Sequence, residues 1–130
     1  MRCELAQKIG RLAPSLPRDA ADKLARLTLD VLEKLAVDQL PRVRQIVADE
    51  VKHCDNLLRG LIRRLAMDAE LAVAGPVLEY SPLLSDTDLL EIIDSDPVRG
   101  ALGAVARRAA LGEAVCEAIA ESDEIGRAHV

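Results

Sequence analysis

His53, Cys54 and Asp55 stand side by side and carry the side-chain types of a base, a nucleophile and an orienting acid. A working triad is assembled from distant parts of a chain, because neighbouring side chains on a turn or helix end diverge. The trio is therefore expected to be structural. A second cluster, "SDTDLLEIIDSD", gathers Asp86, Asp88, Glu91, Asp94 and Asp96. A calcium loop needs oxygen ligands at alternating positions and a glycine at the sixth, but Leu90 takes the fifth and Glu91 the sixth. Carboxylates at this spacing fit the start of a helix, where they favour its dipole. Arg59, Arg63 and Arg64 form a candidate basic face. Gripping a single strand would also need aromatic platforms, and the chain has one Tyr, no Phe and no Trp. No H-E-x-x-H, G-x-S-x-G, phosphate loop or dinucleotide fingerprint occurs. The expectation is a protein that is not an enzyme, with no catalytic, metal or cofactor-binding residue.

The elements that carry these residues follow from composition. The 130 residues are 50% apolar and 30% charged, which suits one globular domain. Without aromatics the core must be Leu, Ile, Val and Ala, which pack between helices and argue against sheet. Cys3, Cys54 and Cys116 are odd in number and widely spaced, so they read as reduced thiols. The N-terminal stretch has no signal-peptide core and no run approaches a membrane span. A cytoplasmic protein is expected. Net charge is −5 overall, with the basic residues concentrated in the first half and the acidic ones in the second, which argues against nucleic acid.

Apolar periodicity predicts seven or eight short helices. The first spans Cys3–Leu12 and closes at Pro14 and Pro17. Asp19 is the expected N-cap of the second, which runs from Ala20 to Val37 with Leu24, Leu27, Val31, Leu32 and Leu35 on its apolar face. Pro41 suits the first turn of a third, lined by Val43, Ile46, Val47 and Val51. A turn at His53–Asn56, with Asp55 or Asn56 as cap, precedes the stripe Leu57, Leu58, Leu61, Ile62, Leu65 and Ala66. Val73, Val77 and Leu78 mark a shorter helix ended by "YSPLLSD". Ser85 and Asp88 form an expected capping box. Beyond "DSDP", stripes continue through Leu102 and Val105, then Val115 and Ile119.

The chain also repeats itself. Leu-Ala-x-Asp recurs at 35–38 and 65–68, and Val43 and Val47 recur as Val73 and Val77. Asp38 precedes Pro41 and Asp94 precedes Pro97 by three residues, while Asp68 is the same mark without a proline. A helix pair cannot bury its own stripe, and stacked neighbours supply the missing surface. The phrase "DQLPRVRQIVADEV" resembles HEAT repeats, in which Asp38, Pro41, Val43 and Arg44 would open the second helix of a unit. That resemblance implies an ion pair from Arg44 to an aspartate of the neighbouring unit. Ala74 stands where the next Arg would be. Over about residues 20–122, "LAMDAELAVAGPVLEYSPLLSDTDLLEII" and "AVARRAALGEAVCEAI" resemble the bacterial domain of unknown function 2336 family, with HEAT-like helical repeats. The resemblance implies the fold and carries no catalytic residues.

The expected architecture is all-α, a HEAT-like α-solenoid over residues 1–124. Its repeat-structural residues are Asp38, Pro41, Val43, Arg44, Asp68, Val73, Asp94 and Pro97. The expected function is a protein–protein interaction scaffold or regulatory adaptor, with a protein partner and no cofactor. The alternative is a nucleic-acid-binding module using Arg59, Arg63 and Arg64. The closing "IGRAHV" matches no repeat and reads as a translated library adapter, so 125–130 is expected to be a non-native tail on a chain cut near Glu124.

Overall fold

A computed structural model describes residues 2–13, 23–54 and 59–121, the side chain of Leu24 excepted. Asp19, Asp55, Asn56, Leu57, Leu58 and residues 125–130 lie outside the described residues. Those described form eight helices and no strand: α1 (Arg2–Leu12), α2 (Lys23–Ala36), α3 (Pro41–Val51), α4 (Arg59–Ala66), α5 (Leu71–Tyr80), α6 (Asp86–Asp94), α7 (Ala101–Ala106) and α8 (Glu113–Ala120). No helix among them is long and apolar enough to cross a membrane.

Local chemistry sets the boundaries. Pro41 opens α3, where its missing N–H leaves no bond unmade. Ser85 and Asp88 cap α6 reciprocally: the Asp88 N–H donates to Ser85 Oγ at 3.2 Å and the Ser85 N–H to Asp88 Oδ2 at 3.0 Å. Helix α5 stops at Tyr80 because Ser81, forced extended by Pro82, stands next (ψ 124°). Pro76 stands inside α5, within the helix that Val73, Val77 and Leu78 mark. It is tolerated there because Gly75 before it has no Cβ to meet the proline ring.

Odd- and even-numbered helices segregate into two layers. Helix α1 lies against α3, α3 against α5, and α5 against α7. On the other side α2 lies against α4, and α6 against α8. The odd-numbered backbones approach one another more closely than the even-numbered ones do. Side-chain size is the reason. The odd helices bury mainly small residues, Ala6, Gly10, Val43, Val47, Ala48, Val73, Ala74, Ala101 and Ala104, with Ile46, Leu78 and Leu102 the larger ones. A Cβ at Gly10 would lie 2.6 Å from the Glu50 Cβ, so only glycine fits that crossing. The even helices bury Leu32, Leu35, Leu61, Ile62, Leu65, Leu89 and Ile92, which hold the axes further apart. These residues and the odd-layer ones form one apolar cluster.

Three expectations need correction. Leu27 was placed on the inner face of α2 but is 62% exposed. The buried line is Ala25, Thr28, Leu32, Leu35 and Ala36, equally helical in spacing: it keeps Leu32 and Leu35 of the expected face and turns toward Ala25 and Thr28. Leucines outweighed Ala and Thr in the sequence pattern, yet the close contact of α2 with α1 and α3 favours the smaller side chains. Pro97 does not open a helix, since α7 starts only at Ala101 with Gly100 as N-cap. Asp94 is not the counterpart of Asp38 and Asp68. It is the last residue of α6, as Ala36 and Ala66 are of α2 and α4, and the aspartate two residues past the helix end is Asp96. Two non-helical turns reverse the chain here: Asp96 at φ 57° and Gly100 at φ 93°. Gly100 is also crowded, since a Cβ would lie 2.6 Å from a Leu71 methyl.

Leu35 and Leu65 stand at matching points of the two Leu-Ala-x-Asp copies and are 6% and 0% exposed. Replacing either with Ala is expected to lower stability by about 2–5 kcal/mol. Urea denaturation of both variants checks this; losses near the level of exposed sites, about half a kcal/mol, would break the alignment of the two copies.

Candidate interaction surface

The first candidate edge is built by the loops after the even helices. In each of two loops an aspartate folds back on its own backbone: Asp38 Oδ1 accepts the Leu40 N–H and Asp68 Oδ1 the Glu70 N–H, both at 2.9 Å. Arg44 then ties the two loops together. Its Nε donates to Asp68 Oδ2 at 2.8 Å, its Nη2 to Asp68 Oδ1 at 3.2 Å, and its Nη1 to the Asp38 carbonyl at 2.7 Å. The side chains of Arg44 and Asp68 are 15% and 10% exposed, so this fork is shielded from water. The ion pair expected of Arg44 is present. One loop earlier Arg2 reaches Asp38 at 3.0 Å. One loop later the ladder stops, because Ala74 is a buried methyl and Asp96 makes no ion pair among the described residues.

The basic face expected of Arg59, Arg63 and Arg64 is divided by the fold. Arg59 donates to the buried Asp88 carboxylate, and Arg63 Nη2 donates to Glu91 at 2.6 Å. Arg63 Nε lies 3.5 Å from Asp88 Oδ1, an electrostatic contact and not a hydrogen bond. Arg64 is exposed and lines a shallow depression with Glu33, Arg59, Gly60 and Leu61. Burial alone would raise the Asp88 carboxyl. The Ser85 N–H, the Arg59 guanidinium and the Ser85 hydroxyl together outweigh it and hold the group below the usual carboxylate range.

The second edge is the outer face of the odd helices. Along α5, Leu71, Ala72, Gly75, Pro76 and Tyr80 form the floor of a groove. Gln45, Asp49 and Lys52 flank it from the α3 side, and Glu79 and Arg107 from the other. Tyr80 is 46% exposed, its ring 5.0 Å from the His53 ring and 5.0 Å from Lys52 Nζ. Arg107 pairs with Glu79 at 2.9 Å, fixing the α7 wall. Arg108 is turned inward and donates to the carbonyls of Leu78 and Ser81, both at 2.7 Å, so a cation closes the C-terminal end of α5. Burial lowers the Arg108 pKa, and nearby Asp86 opposes that shift.

Sequence reasoning missed Tyr80, Lys52, Arg107 and Arg108. They lack a local signal, since Arg107 and Arg108 meet α5 residues nearly thirty positions away. Of the His53–Cys54–Asp55 trio, His53 faces Tyr80 and Cys54 is buried, while Asp55 lies outside the described residues. Among the described residues no three of His, Cys, Asp and Glu converge as a metal site would require. Val43 and Val73 are both fully buried and serve the core.

A family model described as "Uncharacterised protein conserved in bacteria (DUF2336)" matches residues 73–129, the family that the Leu65–Ile93 run resembles. The match begins within α5 and takes in the whole of α6, α7 and α8. No curated protein and no solved structure matches the chain.

Truncating Arg44 strands Asp68 in a shielded place, whereas Arg107 is largely in water. Arg44→Ala is expected to cost about 1–3 kcal/mol, and Arg107→Ala no more than about 1 kcal/mol, by chemical denaturation. A second expectation concerns acid. Asp88 has a folded pKa below its unfolded value, so its contribution is full above the ordinary carboxylate pKa of about 3.9. That contribution is lost as pH falls through the lower folded pKa. Denaturation midpoints measured from neutral pH down through that window should fall less steeply in Asp88→Asn than in the parent; parallel curves would show that Asp88 is not stabilised as an anion.

Proposed function

We propose that the chain is a HEAT-like α-solenoid acting as a protein–protein interaction scaffold or adaptor in the bacterial cytoplasm, and that its odd-helix face is the contact surface. The match of residues 73–129 to an uncharacterised bacterial family leaves the activity to be argued from the surface itself. The observation that carries the reading is the groove along α5, where Leu71, Pro76 and the chain's one tyrosine are presented between charged walls. An aromatic anchor over an aliphatic floor with a polar rim has the make-up of a protein contact. The two-layer order of helices supports the solenoid, because stacking pairs leaves one face of each layer free along its length. The Asp38 and Asp68 loops joined by Arg44 support the HEAT likeness.

Asp49 offsets Lys52 in the lining and Glu79 pairs with Arg107, so the walls carry no net charge. A neutral groove with an apolar floor suits an amphipathic helix or apolar segment of a partner. The nucleic-acid alternative rests on Arg64, since Arg59 and Arg63 face Asp88 and Glu91.

A photo-crosslinking residue placed at Ala72 in the groove, and at Asp30 on α2 as a control, tests the proposal in a cognate bacterial lysate. A discrete protein adduct is expected from Ala72, lost on adding Tyr80→Ala and unaffected by nuclease. No adduct from Ala72, together with a salt-sensitive gel shift abolished by Arg64→Ala, would replace the adaptor with the nucleic-acid module.

A further inference from the structure

Apolar packing runs through both layers, and in the even layer ion pairs are added to it. The odd helices meet through close contact of small apolar side chains, which neither acid nor salt weakens appreciably. The even layer differs between α4 and α6. Among the described residues α6 packs closely on α8, whereas its backbone approach to α4 is slight. Long side chains span that interval. Arg59 reaches Asp88 and comes within 3.4 Å of Ser85 Oγ, and Arg63 reaches Glu91 at 2.6 Å and stands 3.5 Å from Asp88. Asp88 is the pivotal acceptor. Through Ser85 it caps α6, and through Arg59 and Arg63 it ties that helix to α4. An assembly fixed on one side by close apolar contact, and on the other by wider-spaced apolar packing plus charge, can hinge on the first side when the charge is released.

We infer that Arg59 and Arg63 of α4, with Asp88 and Glu91 of α6, form a charge-dependent latch that sets the angle between the helices up to α5 and those after it. The groove along α5 spans that hinge, with α3 forming one wall and Arg107 beyond α7 the other. Opening the latch therefore changes the spacing of the groove walls. The inference rests on the proposed function only for its consequence, since the hinge exists with or without a partner.

The charges around the latch are few. Asp88 faces Arg59 and Arg63 from α4, with Glu91 on its own helix. On the same helix Asp86 looks the other way, toward Arg108 and the uncharged Gly112 before α8. Asp88 is buried and remains an anion at neutral pH, so its half of the latch yields only to acid. The Arg63–Glu91 half is in water on both sides and yields to salt.

The distance between α2 and α8 reports the hinge. Spin labels at Lys34→Cys and Glu117→Cys, both exposed, in a background with Cys3, Cys54 and Cys116 changed to Ala, give that distance by pulsed electron resonance. Asp88→Asn removes the charge and keeps an acceptor for the Ser85 N–H. The pair Arg59→Gln and Arg63→Gln removes it from the other side. Each is expected to lengthen and broaden the distance distribution at neutral pH, the arginine pair by more because it also frees Glu91, with no change beyond the arginine pair when all three are combined. The parent chain is expected to shift the same way, by less, between about 0.1 and about 1 M salt, where the screening length falls from ~10 to ~3 Å. An unchanged distribution in both variants, with helical circular dichroism intact, overturns the latch. If one variant fails to fold, the other decides, and if both fail, an unmoved parent in the salt series overturns it. Crosslinking at Ala72 reads groove occupancy separately, so loss of the latch and loss of the adaptor are told apart.

Discussion

Close approach between α1, α3, α5 and α7 is the constraint on which the other features depend. It requires Ala, Gly and Val at the crossings, with Gly10 against Glu50 leaving no room for even one methyl. Once those backbones are near, the larger Leu and Ile side chains must fill the even layer, and its axes stand wider. The same closeness lets Leu71 reach across to Gly100, and Arg108 reach the end of α5. It also explains how a core without Phe or Trp closes at all: small side chains at short distance replace large ones at long distance.

Charge performs the work that apolar packing leaves undone. Each of three arginines spans an interval between elements. Arg44 joins the loops before α3 and α5, Arg59 joins α4 to α6, and Arg108 joins the segment after α7 to the end of α5. Guanidinium suits this task because its fork holds two acceptors in one plane. The surplus of basic residues in the first half and of acidic residues in the second is partly accounted for by such pairs. Arg44, Arg59 and Arg63 of the first half all reach carboxylates of the second.

Much of the fold was legible in the sequence because local chemistry decides it. Pro41 at a helix start, the Ser85–Asp88 box and the stop before Pro82 depend on a few adjacent residues, and each stands where the pattern put it. The Arg44–Asp68 pair was legible through the likeness to HEAT repeats, not through any spacing rule. What failed depended on neighbours. The inward turn of α2 is chosen by the helices packed on it, so Thr28 displaced Leu27. The third aspartate was misplaced by two residues because proline spacing was followed past Asp94, whereas the helix end fixes Asp96. Arg59, Arg63 and Arg64 look alike in sequence, and only the position of α6 separates two paired cations from one exposed.

The single tyrosine has an optical consequence. Tyr80 is the chain's one aromatic chromophore of any strength in the near ultraviolet, and it sits on the groove beside His53 and Lys52, away from the core. Its fluorescence and near-ultraviolet dichroism therefore describe the surface and not the interior. A signal that in most proteins monitors collapse of the core would here stay silent about core packing and respond to whatever settles over α5.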